Sequence, residues 1–221
     1  MSDAHLSTVR YVALLDILGF RDLMRKRSIT KIATDVDKLF SRSGDHGLSW
    51  SSLKMTGRSC GVARAGRAHF SDTILLWTTP ILSEDEGHTA TVLAFSRTVA
   101  DLVLHGFLSG LPLRGAIAYG ECLIDEPKHL FIGQPIVDAY ELETQQKWIG
   151  VAIHPNAEAG LAQLLGWDLP TICLCEYSVP MKQTAQVKPE LAIDWTFGMQ
   201  YPMVHRTMRP LSARRAGLLA A

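Results

Sequence analysis

Polar and apolar positions along the chain follow two periods, one typical of strands and one typical of helices. The first apolar run, residues 9–16, is almost continuous and predicts a buried strand that ends in the carboxylate of Asp16. From residue 20 to residue 40 the apolar side chains recur at near-helical spacing, which predicts a single helix. Asp16 is therefore expected beside the N-terminus of a helix.

The rest of the pattern continues to alternate between strands and helices. Two β-rich runs, 58–70 and 73–78, meet at Ser71-Asp72 and predict a hairpin with Asp72 at its tip. The polar stretch 41–52 before this hairpin predicts a loop. The later predicted elements are a helix over 84–108, a strand over 113–119, a short segment over 130–133, a helix after Gly133, a strand over 149–153, a short helix over 156–165 and two late strands, 171–177 and 190–197.

This order of elements is the ferredoxin-like pattern with additions, an α+β fold whose sheet contains antiparallel strands and carries its helices on one face. We expect one domain over residues 1–205 and a mobile tail over 206–221. In such a sheet the first strand and the hairpin can lie side by side, which would bring Asp16 and Asp72 together. Two carboxylates at one point are costly without a metal ion, so this placement favours metal binding over the alternative that Asp16 caps the helix.

The turn that follows Asp16 is suited to an anion. The backbone N–H groups of Leu18, Gly19 and Phe20 would point at whatever anion a cation on Asp16 brings with it. A nucleoside triphosphate with Mg²⁺ satisfies both requirements. The sequence thus favours a metal and nucleotide site at the end of the first strand.

Composition and charge exclude several other classes of protein. The 221 residues carry 22 basic and 22 acidic side chains, and this balance argues against a dedicated nucleic-acid binder. No stretch approaches the ~20 apolar residues of a membrane span and the first residues lack the apolar core of a signal peptide, so a cytoplasmic protein is expected. The spacing of Cys60, Cys122, Cys173 and Cys175 indicates neither a zinc site nor a disulfide framework.

Four blocks of the sequence resemble the successive blocks of the class III nucleotidyl cyclases, and more closely the short pyrimidine cyclases of the bacterial Pycsar anti-phage defence. The blocks are LLDILGF, FSDTILLW, LRGAIAYGE and IGQPIVDAYELE, and they occur in the family's order. The resemblance implies a palm-type core, a head-to-tail homodimer with sites at its interface, and two Mg²⁺ or Mn²⁺ ions per site. By position Asp16 and Asp72 match the two metal-binding aspartates, and Ile17 matches the residue that adds a backbone carbonyl.

The resemblance also implies a reaction. One metal, held by Asp16 and Asp72, would activate the ribose 3′-hydroxyl, and the second would hold the triphosphate, which also rests on Leu18, Gly19 and Phe20. Attack on the α-phosphorus would expel pyrophosphate and leave a 3′,5′-cyclic nucleotide. UTP is expected as the substrate before CTP, and a separate effector protein would read the product as a signal in antiviral defence.

Two departures from the adenylate and guanylate cyclases concern the nucleotide base. The positions that read a purine in those enzymes are Ala68 and Leu130 here, and neither side chain offers a hydrogen-bond donor or acceptor. A purine-specific cyclase is therefore disfavoured. We expect selection by pocket size, with a bulky residue such as Trp50 or Tyr119 closing the space that the second ring of a purine needs.

Two further departures concern the transition state. The family's Asn and Arg on the later helix fall on Val137 and Glu141, and a carboxylate cannot neutralise charge on a transferring phosphoryl group. Arg114 is our candidate for the missing cation. The alternative is a surface arginine paired with Glu121 or Asp138.

Three hypotheses about function therefore stay open. The first is an active pyrimidine cyclase, and the second is a catalytically silent nucleotide-binding module that lacks the Asn and Arg. The third is a related palm-domain enzyme that condenses two nucleotides, although the hairpin reads HFSDT and has no GGDEF-like run.

Overall fold

The structure, a computed structural model, describes residues 6–47, 54–55, 58–59, 65–81, 86–165, 173–183, 185 and 187–196. Trp50, Cys60 and the predicted tail over 206–221 lie outside the described residues. The expectations for them therefore stay expectations.

Strands and helices alternate as the apolar pattern predicts. The strands are β1 (Thr8–Ile17), β2 (Lys54–Met55), β3 (Arg58–Ser59), β4 (Ala65–Phe70), β5 (Thr73–Thr78), β6 (Leu113–Asp125), β7 (Leu130–Gly133), β8 (Gly150–Ile153), β9 (Leu174–Glu176) and β10 (Leu191–Ile193). The helices are α1 (Phe20–Lys26), α2 (Ile29–Gly47), α3 (Glu86–Leu108), α4 (Gln134–Gln145) and α5 (Pro155–Leu165).

The main sheet has the order β4-β5-β1-β6-β8-β10-β9, and β7 pairs with β6 as well. Strand β1 is antiparallel to both β5 and β6, whereas β6 and β8 run parallel. β1, which carries Asp16 as its second-last residue, therefore lies inside the sheet, next to the hairpin of β4 and β5. This arrangement confirms the predicted α+β fold.

Two apolar clusters cover the two faces of the sheet. Alternate residues of β1 point to opposite faces, so Tyr11 and Leu15 belong to one cluster and Val12 and Leu14 to the other. The cluster with Tyr11 is completed by α2, α3 and α5, and the cluster with Val12 by α4. The expectation that the helices lie on one face is therefore wrong for α4, because its buried residues pack against the opposite side of the sheet.

The helix predicted over residues 20–40 is two helices. The chain is extended at Arg27, with φ −128° and ψ 151°, and a new helix begins after Ser28, whose Oγ accepts a hydrogen bond from the amide of Lys31 at 3.3 Å. Helix α2 then continues to Gly47, so the predicted loop over 41–52 is wrong in its first part. The Ser41 hydroxyl donates to the Asp37 carbonyl at 2.9 Å, which satisfies that polar group without ending the helix.

Strand β6 is longer than the predicted 113–119. It passes through Gly120 and ends at Asp125, where a turn leads back into β7. In this turn the amide of His129 donates to the carbonyl of Glu126 at 3.1 Å, and His129 has a positive φ of 52°. The short segment 130–133 is thus the second strand of a hairpin.

One helix in the described part of the chain has the length and composition of a membrane span. It is α3, over His88–Leu108, with a mean hydropathy of 1.3 in the tested window, of which 72% is buried inside the domain. A buried core helix of a globular domain has the same character.

Candidate active site

Asp16 and Asp72 converge at the edge of the sheet where β1 ends. Asp16 pairs in register with Thr73, the first residue of β5, and the amide of Ile17 donates to the carbonyl of Asp72 at 2.9 Å. Asp16 alternates with Leu14 along β1 and therefore faces the same side of the sheet as α4. Both carboxylates are half-buried, so solvent screens their charges only in part.

The electrostatic environment of Asp16 disfavours its negative charge. Burial raises the pKa of this carboxyl above its usual value, and the nearby charge of Asp72 raises it further. Arg114, the neighbour of Asp16 on β6, partly offsets both effects. A site that gathers more negative charge than its surroundings neutralise is suited to a cation.

The donor atoms at this site fit a hard divalent ion. Asp16 and Asp72 offer carboxylate oxygens, and Ile17, the next residue after Asp16 and the donor of the amide hydrogen bond to Asp72, offers a backbone carbonyl. No cluster of three or more His, Cys, Asp or Glu side chains that could enclose a metal occurs among the described residues. Mg²⁺ is commonly held by one or two carboxylates together with substrate phosphates and water, so a sparse protein contribution is what this ion requires.

The turn after Asp16 offers fewer free amides than the sequence suggests. The Leu18 amide donates to the carbonyl of Pro112 at 2.9 Å, so it is already engaged. The amides of Gly19 and Phe20 donate no hydrogen bond to another described residue. Gly19 has a φ of 73° and is the N-cap of α1, and no side chain caps this helix in the described structure. The alternative that Asp16 caps the helix is therefore wrong, and any anion contact of this turn rests on Gly19 and Phe20.

Arg114 lies beside Asp16 but is not a surface arginine. Its Nε donates to Oε1 of Glu143 at 2.6 Å, and its Nη1 donates to the carbonyl of Gln146 at 3.3 Å. Glu143 is only 3% exposed and Gln146 is fully buried. Burial raises the pKa of the Glu143 carboxyl, and the hydrogen bond from Arg114 counters this shift. The alternative that Arg114 pairs with Glu121 or Asp138 is therefore wrong, because the carboxylate partner of Arg114 is Glu143.

Glu143 was not expected as a site residue, although the sequence carries a signal for it. It occupies a position on the apolar stripe of α4, next to the buried Leu142. A carboxylate on a buried helix face needs a cationic partner. The same reasoning would have directed attention to Arg114 as that partner.

The two base-reading positions lie near an aromatic pair. Ala68 on β4 packs against the cluster that contains Trp77, and the rings of Trp77 and Phe131 are 5.2 Å apart between centroids. Leu130, which precedes Phe131 on β7, is half-buried. The indole of Trp77 lies so close to Gly66 that a Cβ there would be 2.1 Å from its ring. The cluster against which Ala68 packs is therefore apolar, and it is closely packed where Trp77 meets Gly66.

Tyr119 does not take part in this region. Its ring packs against Tyr11, with centroids 4.5 Å apart, on the opposite face of the sheet from Ala68. The expectation that Tyr119 closes a base pocket beside Ala68 is therefore wrong. The bulky residue found there is Trp77, and the sequence signal that was missed is its place in β5, directly across from Gly66.

The outer side of α4 carries exposed apolar residues. Val137 is 46% exposed and Tyr140 is 57% exposed, and the neighbouring Ile132 on β7 is 58% exposed. Glu141 is exposed as well. The positions that match the family's Asn and Arg are therefore exposed on the surface of this chain.

Several solved structures share this fold. A guanylyl cyclase domain from the aquatic fungus Blastocladiella emersonii, described as a non-canonical dimer, aligns with a TM-score of 0.56 at 11% identity and covers 85% of this chain and 95% of its own. The guanylate cyclase domain of a protein from Catenaria anguillulae, in complex with GTP, aligns with a TM-score of 0.53 at 12% identity over 85% and 96% of the two chains. The catalytic core of a rhodopsin-guanylyl cyclase in complex with ATPαS gives a TM-score of 0.55 at 11% identity over 85% and 96%.

No protein-family model matches the chain, and no curated protein sequence matches it either. The chain has the fold of class III nucleotidyl cyclase catalytic domains, and the shared region spans most of it. At this level of identity the likeness establishes the fold, and the activity has to be argued from the site.

Proposed function

We propose that this protein is a pyrimidine nucleotide cyclase that converts UTP, and less readily CTP, into the 3′,5′-cyclic nucleotide and pyrophosphate. The observation that carries the proposal is the convergence of Asp16 and Asp72 within a class III cyclase fold. Neighbours with this fold are described in complex with GTP or ATPαS, which supports a nucleoside triphosphate as the class of substrate.

Each part of the site has a role in this reaction. Asp16, Asp72 and the carbonyl of Ile17 would hold two Mg²⁺ or Mn²⁺ ions, which supply Lewis-acid stabilisation and lower the pKa of the ribose 3′-hydroxyl. The Gly19 and Phe20 amides would bind phosphate oxygens. Arg114 faces the same side of the sheet as Asp16 and would neutralise charge on the transferring phosphoryl group.

The preference for a pyrimidine rests on the surroundings of Ala68 and Leu130. Neither side chain can hydrogen-bond the edge of a purine, and Ala68 and Phe131 pack against the same apolar cluster, which contains Trp77. A small apolar site of this kind selects by shape, and a single-ring base needs less room. The preference for UTP over CTP comes from the resemblance to the Pycsar pyrimidine cyclases.

A head-to-tail homodimer is part of the proposal. The exposed apolar side chains Ile132, Val137 and Tyr140 form a surface that a second copy of this chain would cover. The Blastocladiella emersonii neighbour is described as a non-canonical dimeric guanylyl cyclase domain, which supports self-association of this fold. The head-to-tail arrangement comes from the resemblance to the class III cyclases. Each site would then combine the aspartates of one protomer with α4 of its partner.

The proposed biological role follows from the resemblance. A cytoplasmic pyrimidine cyclase of the Pycsar type would make a second messenger during phage infection, and a separate effector protein would bind it. We propose no contact with nucleic acid or with a membrane.

A second candidate function is a catalytically silent nucleotide-binding module. The observation that favours it is the engagement of Arg114 with Glu143 and Gln146, which leaves fewer of its N–H groups for a phosphoryl group. Glu141 adds a carboxylate where the family has a cation. Such a module would bind a nucleoside triphosphate without turning it over.

One experiment separates these functions. The purified protein is incubated with each of the four labelled ribonucleoside triphosphates and Mn²⁺, and the products are separated by chromatography. We expect cyclic UMP as the main product and less cyclic CMP. Linear or cyclic dinucleotides would indicate the condensing enzyme. Nucleotide binding by calorimetry without any product would indicate the silent module, and ATP or GTP cyclised as fast as UTP would contradict the shape argument.

A further inference from the structure

Arg114 is held in place by a chain of contacts that starts outside the core of the fold. Its Nη1 donates to the backbone carbonyl of Gln146, the C-cap residue of α4. The side chain of Gln146 is itself fully engaged in the described structure. Its Nε2 donates to the carbonyls of Gly115 and Leu142 at 2.8 and 3.1 Å, and its Oε1 accepts from Nε1 of Trp148 at 2.5 Å.

Two contacts fix the ring of Trp148. The ring stacks on Tyr177, with centroids 5.0 Å apart and an interplanar angle of 20°. It also lies against Gly150, where a Cβ would come within 2.8 Å of the indole. Gly150 is the parallel neighbour of Arg114 on β8. The indole therefore has little freedom to move away from Gln146.

Tyr177 belongs to a segment, residues 177–182, that we call the strap. The strap runs antiparallel to the end of α4, and Met181 forms an isolated bridge with Gln146. The amide of Lys147 donates to the carbonyl of Pro180 at 2.8 Å, and the amide of Lys182 donates to the carbonyl of Gln145 at 2.8 Å. The strap thus holds the residues on both sides of Gln146.

We infer that the strap and Trp148 position the guanidinium of Arg114 beside Asp16, with Gln146 as the connecting residue. Trp148 holds the side chain of Gln146 by donating its Nε1–H to Oε1 of that residue. The backbone carbonyl of Gln146 then accepts the hydrogen bond from Nη1 of Arg114. Glu143 contacts Nε and Nη2 of Arg114 through the same oxygen, Oε1, so this contact alone leaves the guanidinium free to pivot about that oxygen. The hydrogen bond from Nη1 to the backbone carbonyl of Gln146 prevents that pivoting. Trp148 and Gln146 are positioning residues for Arg114 and touch no substrate themselves.

The catalytic consequence rests on the proposed function. A cation that stabilises a transition state acts only when it is correctly oriented before the reaction, so a misplaced Arg114 lowers kcat more than it raises KM. Outer contacts of this kind typically change activity by about 10- to 100-fold. The positioning itself is a property of the resting protein and is measurable without turnover.

The test uses Trp148→Phe, which keeps an aromatic ring on Tyr177 and removes the Nε1–H donor. The matched control is Trp195→Phe, since Trp195 is also half-buried but packs against Phe107 on the other face of the sheet. The exchange of the Arg114 Nε–H proton with water is measured by NMR, and the resonance is assigned by its loss in Arg114→Lys. In Trp148→Phe we expect this exchange to be about ten-fold faster than in the wild type and the control.

The same variants are then assayed with UTP and Mn²⁺. Trp148→Phe should lower kcat about ten-fold and leave KM within about two-fold, while Trp195→Phe changes neither. Unchanged Nε–H exchange in Trp148→Phe would overturn the positioning role. Faster exchange with an unchanged kcat would overturn its catalytic consequence. A wild type without any turnover contradicts the proposed function, and the exchange measurement still decides the positioning. If Trp148→Phe does not fold, Tyr177→Ala replaces it, because that change removes the ring that stacks on Trp148 and leaves the Nε1–H donor in place.

Discussion

The contact between Gly66 and Trp77 predicts a specific effect of one added methyl group. In Gly66→Ala the new Cβ would lie 2.1 Å from both Cε2 and Nε1 of the indole. Ordinary contact between such atoms needs about 3.4 Å, so the ring would have to withdraw by about 1.3 Å. Trp77 is 2% exposed and packs against Phe131, so the core offers it no space.

The expected cost lies at the upper end of the overpacking range. Inserting a methylene into a packed core costs about 1–3 kcal/mol, and a rigid indole relaxes less than an aliphatic side chain. For a chain of this length each kcal/mol lowers Tm by about 2–4 °C, so a loss of about 3 kcal/mol lowers it by about 6–12 °C. The displaced ring would also narrow the space beside Ala68 and raise KM for UTP.

Thermal and urea unfolding of four proteins measures this effect. These are the wild type, Gly66→Ala, Trp77→Leu and the double variant. Trp77→Leu alone creates a cavity and should cost about 3 kcal/mol. In the double variant the new methyl enters that cavity, so the two costs should fall short of additivity by at least about 1 kcal/mol. A Gly66→Ala protein within about 0.5 kcal/mol of the wild type, or strictly additive costs, would refute the close contact.

Two other predictions concern the aspartates and the assembly. Asp16→Asn and Asp72→Asn should each lower turnover by at least about 10³-fold, because a metal ligand is lost. In metal-free buffer Asp16→Asn should raise Tm at pH 7. The pKa of Asp16 is higher in the folded than in the unfolded protein, so the wild type loses stability as the pH rises from the unfolded pKa through the folded pKa. The increase in Tm caused by Asp16→Asn should therefore become smaller as the pH is lowered to about 3. Asp37→Asn, an exposed site, is the control, and an unchanged Tm would contradict the charge argument. Light scattering should show a homodimer, and mixed dimers with Asp16→Ala in one protomer should keep about half the activity. A fully active monomer would be the contrary result.

The periodicity of the sequence predicted the elements that bury one clear face. β1, the hairpin of β4 and β5, α3 and α4 follow from it, because alternation or helical spacing states which residues leave water. The approach of Asp72 to Asp16 also followed from the sequence. A tight turn at Ser71-Asp72 places Asp72 at the end of β5, and β5 lies beside β1 with Thr73 opposite Asp16. What the pattern missed was set by single hydrogen bonds, such as the Ser28 cap that divides the first helix.

The surroundings of the site were less predictable for a different reason. The contact of Trp77 with Gly66 depends on the register between β4 and β5, and the pattern of polar and apolar residues does not determine that register. The pairing of Arg114 with Glu143 joins residues that are 29 positions apart, and it depends on how α4 crosses the sheet. The strap is more distant still. Contacts of this kind arise from tertiary packing. The only indication of them in the local sequence is the carboxylate of Glu143 on the apolar face of α4.

The pairing of β1 along both edges has a consequence for local opening of the protein. β1 pairs with β6 from Thr8 to Ile17 and with β5 from Val12 to Asp16, so we expect hydrogen exchange of its inner amides to require opening of the sheet on both sides. Asp72 instead follows Ser71, which has a positive φ of 58° in a two-residue turn at the sheet's margin. One half of the candidate metal site therefore belongs to an inner strand of the sheet, and the other half to a turn at its margin that is joined to β1 through the Ile17 amide.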